Sequence, residues 1–292
     1  MKEAQQRQWM QALRSAAALG TPDALALAVQ GLLEDKTIAA NRPLPLGRVE
    51  KELLPGGEIL AKPSVPRVFL EELGRLPYAA FRALAAAAWT LRYLRGDPRA
   101  KKPLEALAKD ERDEVRHAVM ATLRTYGPQH APRFRELVQE WLTRQPTPSP
   151  RVQAIALALL PRVAEGEDVA AVLDWLEKAP LQNHPVVQKA WVKAVAALGA
   201  RDGPTVLHRF GRWLLTRPRR APWMAQALSR PWAVRHPQQT LNLLQAMYHR
   251  WGRRRWITQA LQALERAGVL PAPPEQLLQQ WTETDLPPET PS

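Results

Sequence analysis

The sequence predicts an all-α fold in which antiparallel helix pairs stack on one another as an α-solenoid. The first observation is the stretch Lys109–Gly127, which combines an acidic start, an apolar residue every three or four positions and a Gly-Pro stop. The second is a set of apolar pairs that recurs at spacings of 37, 35, 37 and 33 residues: Val115/Ala118, Val152/Ile155, Val187/Ala190, Met224/Ala227 and Ile257/Ala260. Such a period is typical of a helical repeat array.

Two further markers have the same period. Prolines stand at matching helix starts, at spacings of 35 and 37 residues: Pro150, Pro185 and Pro222. Tryptophans stand near the ends of the companion helices, at spacings of 34 and 38 residues: Trp141, Trp175 and Trp213. A large residue at one place in each pair usually packs between neighbouring pairs, so we expect these tryptophans to be structural.

Four segments follow one another along the chain. Residues 1–36 are predicted to be an N-terminal capping helix pair, with a Thr-Pro-Asp helix start at its centre. Residues 37–67 form a Pro/Gly-rich loop or arm, either packed and ordered or mobile, because prolines and glycines interrupt it throughout. Residues 68–282 hold the repeats. Residues 283–292 are predicted to be a disordered acidic tail.

The pattern at Asp113, Val115, Arg116 and Ala118 is similar to the start of HEAT or HEAT-like repeats. The resemblance covers about residues 68–282 and implies a right-handed α-solenoid. Of the Asp–Arg ladder of that family only Asp113/Arg116 is present, and the later equivalents of the arginine are Gln153, Gln188, Ala225 and Thr258. We therefore expect apolar packing to replace the ladder between repeats.

Composition excludes several classes of protein. The 292 residues are 46% apolar, which is enough for a core, and the absence of cysteine excludes disulfides and thiolate chemistry. No apolar run approaches the roughly 20 residues of a membrane-spanning helix, and the N-terminus lacks an apolar signal core. A soluble cytoplasmic protein without a membrane partner is expected.

Positive charge is concentrated in one segment. The net charge is +13, and the stretch from Arg201 to Trp256 contains 12 arginines and a single acid, Asp202. In HEAT-like arrays the second helix of each pair lines the concave face, and here those helices would begin near Asp113, Pro150, Pro185, Pro222 and Arg254. Arginines at helix starts oppose the helix dipole, so they indicate anion binding rather than folding.

The candidate binding residues are basic or aromatic: Arg116, Arg151, Arg209, Arg212, Arg219, Arg220, Trp223, Arg253, Arg254, Arg255 and Trp256. In a row they would suit a phosphate backbone or an acidic protein surface. The competing interpretation is a solvated face whose arginine stems cover tryptophan rings.

Signals for catalysis are weak. The six histidines include no close pair at metal-ligand spacing, and the chain has neither HExxH, nor G-x-S-x-G, nor a Gly-rich phosphate loop. The acidic cluster at 110–114 fits the first turn of a helix, where carboxylates cap the helix and offset its dipole. No catalytic residue, metal or small-molecule cofactor is predicted.

The favoured function is a non-enzymatic scaffold that holds an acidic partner, nucleic acid or protein, on its basic C-terminal half. The alternative is a DNA glycosylase similar to the bacterial DNA alkylation repair family, which is also built from HEAT-like repeats. That resemblance implies concave-face tryptophans and a carboxylate, yet the segments 150–163, 185–199 and 220–234 contain no Asp or Glu. A third possibility is a protein-complex adaptor that docks through the segment 37–66.

Overall fold

The computed structural model describes residues 3–284 and is helical throughout, with no strand in that range. The all-α prediction is therefore confirmed. The chain divides into two compact units, Met1–Val163 and Ala164–Ser292. Within residues 3–284, no helix combines the length and apolar character needed to cross a bilayer.

From residue 3 onward, unit 1 has eleven α-helices, the last of which ends one residue beyond the boundary of the unit: α1 (Glu3–Leu19), α2 (Pro22–Gln30), α3 (Lys36–Ala39), α4 (Leu46–Arg48), α5 (Leu54–Leu60), α6 (Arg67–Leu73), α7 (Ala79–Leu94), α8 (Lys101–Ala108), α9 (Asp113–Tyr126), α10 (Ala131–Thr143) and α11 (Pro150–Ala164). Its central element is α7, in which every residue except Arg82 is buried. α5, α6, α8 and α9 all pack against it. Seven alanines among its residues let these neighbours approach closely.

The predicted loop or arm at 37–67 is largely helical. After α4 the chain makes a π-helical turn (Val49–Leu53) and continues into α5, in which Pro55 is the second residue. Gly56 and Gly57 are buried because they stand where α5 meets α7 and Trp9. The glycines that appear in the sequence as helix breakers here allow close helix packing.

The described part of unit 2, which ends at residue 284, has eight α-helices: α12 (Val169–Lys178), α13 (Pro185–Arg201), α14 (Gly203–Thr216), α15 (Ala221–Leu228), α16 (Pro231–Val234), α17 (Pro237–Trp251), α18 (Arg255–Arg266) and α19 (Pro274–Thr284). The predicted helix 220–234 is interrupted between Leu228 and Pro231, where a proline cannot continue the helical hydrogen bonds. Most of the predicted acidic tail, residues 285–292, lies outside the described residues.

An aromatic cluster forms the core of unit 2. The ring centroid of Trp191 lies 6.0 Å from that of Phe210, 6.0 Å from that of Trp213 and 5.8 Å from that of Trp223. Of the periodic tryptophans, Trp141 in unit 1 and Trp213 in unit 2 are fully buried. Trp175 is only half-buried.

The helices of unit 2 pack in two series. α13 packs on α15 and α15 on α18, while α12 packs on α14 and α14 on α17. Where the HEAT pattern places an arginine, the side-chain amide of Gln188 donates to Gln226 Oε1 at 3.1 Å and joins α13 to α15. A neutral side-chain hydrogen bond therefore joins α13 to α15 at this position.

Gly57→Ala should destabilise unit 1. A Cβ at this position would collide with the Ala87 methyl group and lie 3.2 Å from the Leu84 carbonyl oxygen, and neither rigid group can move aside. Overpacking of this kind costs about 1–3 kcal/mol, measurable as a lower free energy of unfolding in urea.

Gly47→Ala is the matched control, because no atom lies within 4 Å of its added methyl group. It should leave the stability unchanged or raise it by up to about 1 kcal/mol. Equal stability of the two variants would contradict the close packing of α5 against α7.

Candidate anion-binding surface

The two predicted binding arginines of unit 1 donate hydrogen bonds to backbone carbonyls in the turn that follows α8. Arg116 donates from Nη1 to the carbonyl oxygens of Asp110 (2.6 Å) and Glu111 (2.8 Å), and its Nη2 contacts the Asp113 carboxylate. Arg151 donates from Nη1 to the carbonyl oxygens of Lys109 (3.0 Å) and Asp110 (3.2 Å). Both guanidinium groups therefore satisfy carbonyls that follow α8, where a cation complements the negative end of the helix dipole.

Arg220 does the same at the end of α12. Its Nη1 donates to the Leu176 carbonyl oxygen at 2.8 Å and its Nη2 to that of Ala179 at 2.9 Å. Arg217 donates to the intervening carbonyl of Glu177 at 2.8 Å. Burial, together with repulsion from Arg217, lowers the pKa of Arg220 to about 10. Although Arg220 directly precedes α15, its side chain therefore caps the end of α12.

Arg209 and Arg212 hold carboxylates instead. Arg209 is 9% exposed and its Nη1 lies 2.6 Å from Asp174 Oδ1 and 2.7 Å from Glu177 Oε2. Arg212 Nη2 lies 3.0 Å from the other oxygen of Glu177. Burial alone would raise the pKa of Glu177, but the hydrogen bonds from the two arginines outweigh burial and lower it. Neutralised in this way, the two arginines contribute little to an anion site.

The remaining predicted residues fall into two groups. Arg253 pairs with Glu275 at 2.7 Å, Arg254 donates to the Trp251 carbonyl oxygen at 2.8 Å, and Trp223 is buried in the aromatic core. Trp256 is half-buried and meets the ring of Trp251 edge-on, at 6.1 Å between centroids. Arg219 and Arg255 are exposed, and the structure shows no side-chain hydrogen bond or ion pair for either within residues 3–284.

Six further cations of unit 2 are exposed and equally free of hydrogen bonds and ion pairs within the described residues: Lys178, Lys189, Lys193, Arg201, Arg230 and Arg235. Three of them line an open cavity of about 330 Å³ with Trp232, Pro231, Ala196 and Ala200. We call this cavity the basic pocket. It has no carboxylate in its lining, and Trp232 is held in place by its indole N–H, which donates to the Ala227 carbonyl oxygen at 3.0 Å.

None of these six residues is among the predicted binding residues, most of which are arginines near helix starts. The spacing of Lys193, Ala196 and Ala200 on α13 places a cation above two small residues on one helix face, which is a signal that could have been read. Arg230 and Arg235 flank the short helix α16, whose existence depends on the interruption at Pro231.

The carboxylates that a glycosylase would need are engaged elsewhere. Asp113 contacts Arg116, and Asp174 lies 2.6 Å from Arg209. Within residues 3–284, no three His, Asp or Glu side chains come together as a metal site.

Comparison of the chain with protein-family models, with curated proteins and with solved structures gives no match. Function is therefore inferred from the arrangement of side chains alone.

Glu177→Gln should lower the stability of unit 2 by about 1.5–3 kcal/mol at neutral pH, because two charge-assisted hydrogen bonds are weakened. The pKa of Glu177 is lower in the folded chain than its ordinary value of 4.5. Its stabilising effect is therefore complete above about pH 4.5 and is lost as the pH falls through the folded pKa.

The measurement is urea unfolding of the parent chain and the variant from pH 7 to pH 3. The difference between them should shrink below about pH 4.5. A difference that stays constant across this range would contradict the role of the ionised carboxylate. Glu283→Gln, at an exposed glutamate of α19, is the control and should show little change at any pH.

Proposed function

We propose that this chain is a non-enzymatic binding scaffold that holds a nucleic acid strand on the basic surface of unit 2. The carrying observation is a set of eight exposed cations in unit 2 without hydrogen-bond or ion-pair partners in residues 3–284: Lys178, Lys189, Lys193, Arg201, Arg219, Arg230, Arg235 and Arg255. Unpaired like charges repel one another, so their concentration costs stability unless a polyanion compensates them.

The structural frame of this proposal is a HEAT-like solenoid. Its support is the common period of the apolar pairs, prolines and tryptophans, together with the two packing series α13–α15–α18 and α12–α14–α17. Most of the free cations belong to the first series or to the residues beside it, whereas Lys178 ends α12. Lys193 and Arg201 lie on α13, Arg219 just precedes α15, and Arg255 begins α18.

The chemistry of the eight cations favours phosphate over a specific small ligand. Five of the eight are arginines, whose planar guanidinium groups donate paired hydrogen bonds to phosphate oxygens. Their surroundings are open, and within the described part of unit 2 the buried aromatic rings belong to the core, so stacking on bases is not the main source of affinity. Binding should therefore depend on the phosphate backbone and be steeply sensitive to salt.

Removing the three cations of the basic pocket should weaken nucleic acid binding. In Lys193→Gln/Arg230→Gln/Arg235→Gln, the slope of log K against log salt should fall in magnitude by about 2–3 if each cation neutralises one phosphate. Fluorescence anisotropy with labelled single- and double-stranded DNA and RNA across a salt series measures both affinity and slope.

The matched control is Arg14→Gln/Arg42→Gln/Arg75→Gln, which removes the same charge from exposed arginines of unit 1. It should change the slope much less. Equal slopes for the two triple variants, or no binding by the parent chain at low salt, would overturn the proposal. If the chain binds polyglutamate but no nucleic acid, its partner is an acidic protein instead of a nucleic acid strand.

A further inference from the structure

A second cavity, in unit 1, has a different construction. It measures about 620 Å³ and lies between the loop that follows α5 and the end of α7. Its charged lining residues are Arg67, Arg92, Arg95 and Asp97, and prolines of the loop complete the wall. Three guanidinium groups thus face one carboxylate.

Arg92 is the unusual member of this cavity. It is 6% exposed, and its Nη2 donates to the carbonyl oxygens of Lys62 at 2.7 Å and Val65 at 2.5 Å. Its Nε is buried and has no hydrogen-bond partner. Burial lowers the pKa of Arg92, and the neighbouring charge of Arg67 lowers it further, while Asp97 partly opposes them. Its guanidinium carbon also lies 5.7 Å from the centroid of the Trp89 ring. Neutral carbonyls and an aromatic ring do not supply the counter-charge that a buried cation normally requires.

The other side chains do not supply that counter-charge. Asp97 pairs with Arg67 at 3.2 Å and also accepts a hydrogen bond from the Arg99 backbone N–H at 3.1 Å. Arg95 lies 4.0 Å from Glu58, at the outer limit of an ion pair, and Glu58 also accepts from the Tyr126 hydroxyl. Both Arg67 and Arg95 keep 41% of their side-chain surface exposed, so each retains free donors.

We propose that this cavity is a binding site for a phosphate group. A tetrahedral phosphate offers several acceptor oxygens, which suits forked donors arriving from Arg67 and Arg95 on separate segments. Its negative charge would compensate the buried charge of Arg92 without requiring contact with the buried Nε. The site lies in unit 1 and uses none of the cations assigned to the nucleic acid surface, so either proposal can fail alone.

The test is isothermal titration of the full chain with orthophosphate in a chloride buffer of constant ionic strength. The parent chain should bind, and its melting temperature should rise with phosphate concentration. Arg95→Gln should bind about tenfold more weakly or not at all, because one charge-assisted hydrogen bond is lost. Arg14→Gln, an exposed arginine away from the cavity, should bind as the parent chain does.

Arg92→Met is the second variant. If it folds, it should lose the phosphate-dependent rise in melting temperature, although Arg67 and Arg95 remain. If it does not fold, Arg95→Gln and Arg67→Gln still decide the matter, because both positions are partly exposed. Tighter binding of a nucleoside monophosphate than of orthophosphate would identify a phosphate ester as the natural ligand, and equal affinity would identify the free ion. Either result supports the site.

Three results would overturn this inference. The first is no heat and no thermal shift with phosphate in the parent chain. The second is unchanged affinity in Arg95→Gln. The third is loss of phosphate binding only in the Lys193→Gln/Arg230→Gln/Arg235→Gln variant, which would place the ion in the basic pocket and leave the nucleic acid proposal standing.

Discussion

Hydrogen bonds from arginine side chains to backbone carbonyls at helix ends recur throughout both units of this protein. A helix leaves its last four carbonyls without partners, and a guanidinium with five donors can satisfy two of them while complementing the helix dipole. Arg116 and Arg151 do this after α8, Arg217 and Arg220 at the end of α12, and Arg250 at Leu214 near the end of α14. Short helices joined by tight turns depend on such contacts, since few other groups can reach those carbonyls.

This structural use of arginine divides the basic charge into two classes. Arginines bound to carbonyls or carboxylates are part of the fold, and their charge is largely compensated where it lies. The free cations of unit 2 make no comparable contact in the described residues, and they cluster where acids are scarce. The distinction matters for function because only the free cations can bind a polyanion without breaking the hydrogen bonds that cap the helix ends.

Arg92 shares features with both classes of basic side chain. Like the structural arginines it donates to two carbonyls, but it is more deeply buried than Arg116 or Arg220, and it shares its cavity with two partly exposed arginines. In unit 2 the buried Arg209 has two carboxylates for its charge, whereas Arg92 has none in direct contact. The contrast between two buried arginines in one chain points to the ligand that the unit 1 cavity would accept.

The helical class and the period of the chain follow from the sequence alone, because apolar spacing, prolines and tryptophans report local geometry that each helix sets for itself. The sequence also shows where the positive charge is concentrated, in the stretch from Arg201 to Trp256. Only the tertiary structure decided which arginines are free, because a guanidinium on a long, flexible side chain can reach carbonyls some forty residues away, as Arg151 and Arg220 do. The role of Gly56 and Gly57 was also decided by the tertiary structure. The sequence predicts that they interrupt a helix, but in the fold their missing side chains allow α5 to contact α7 and Trp9.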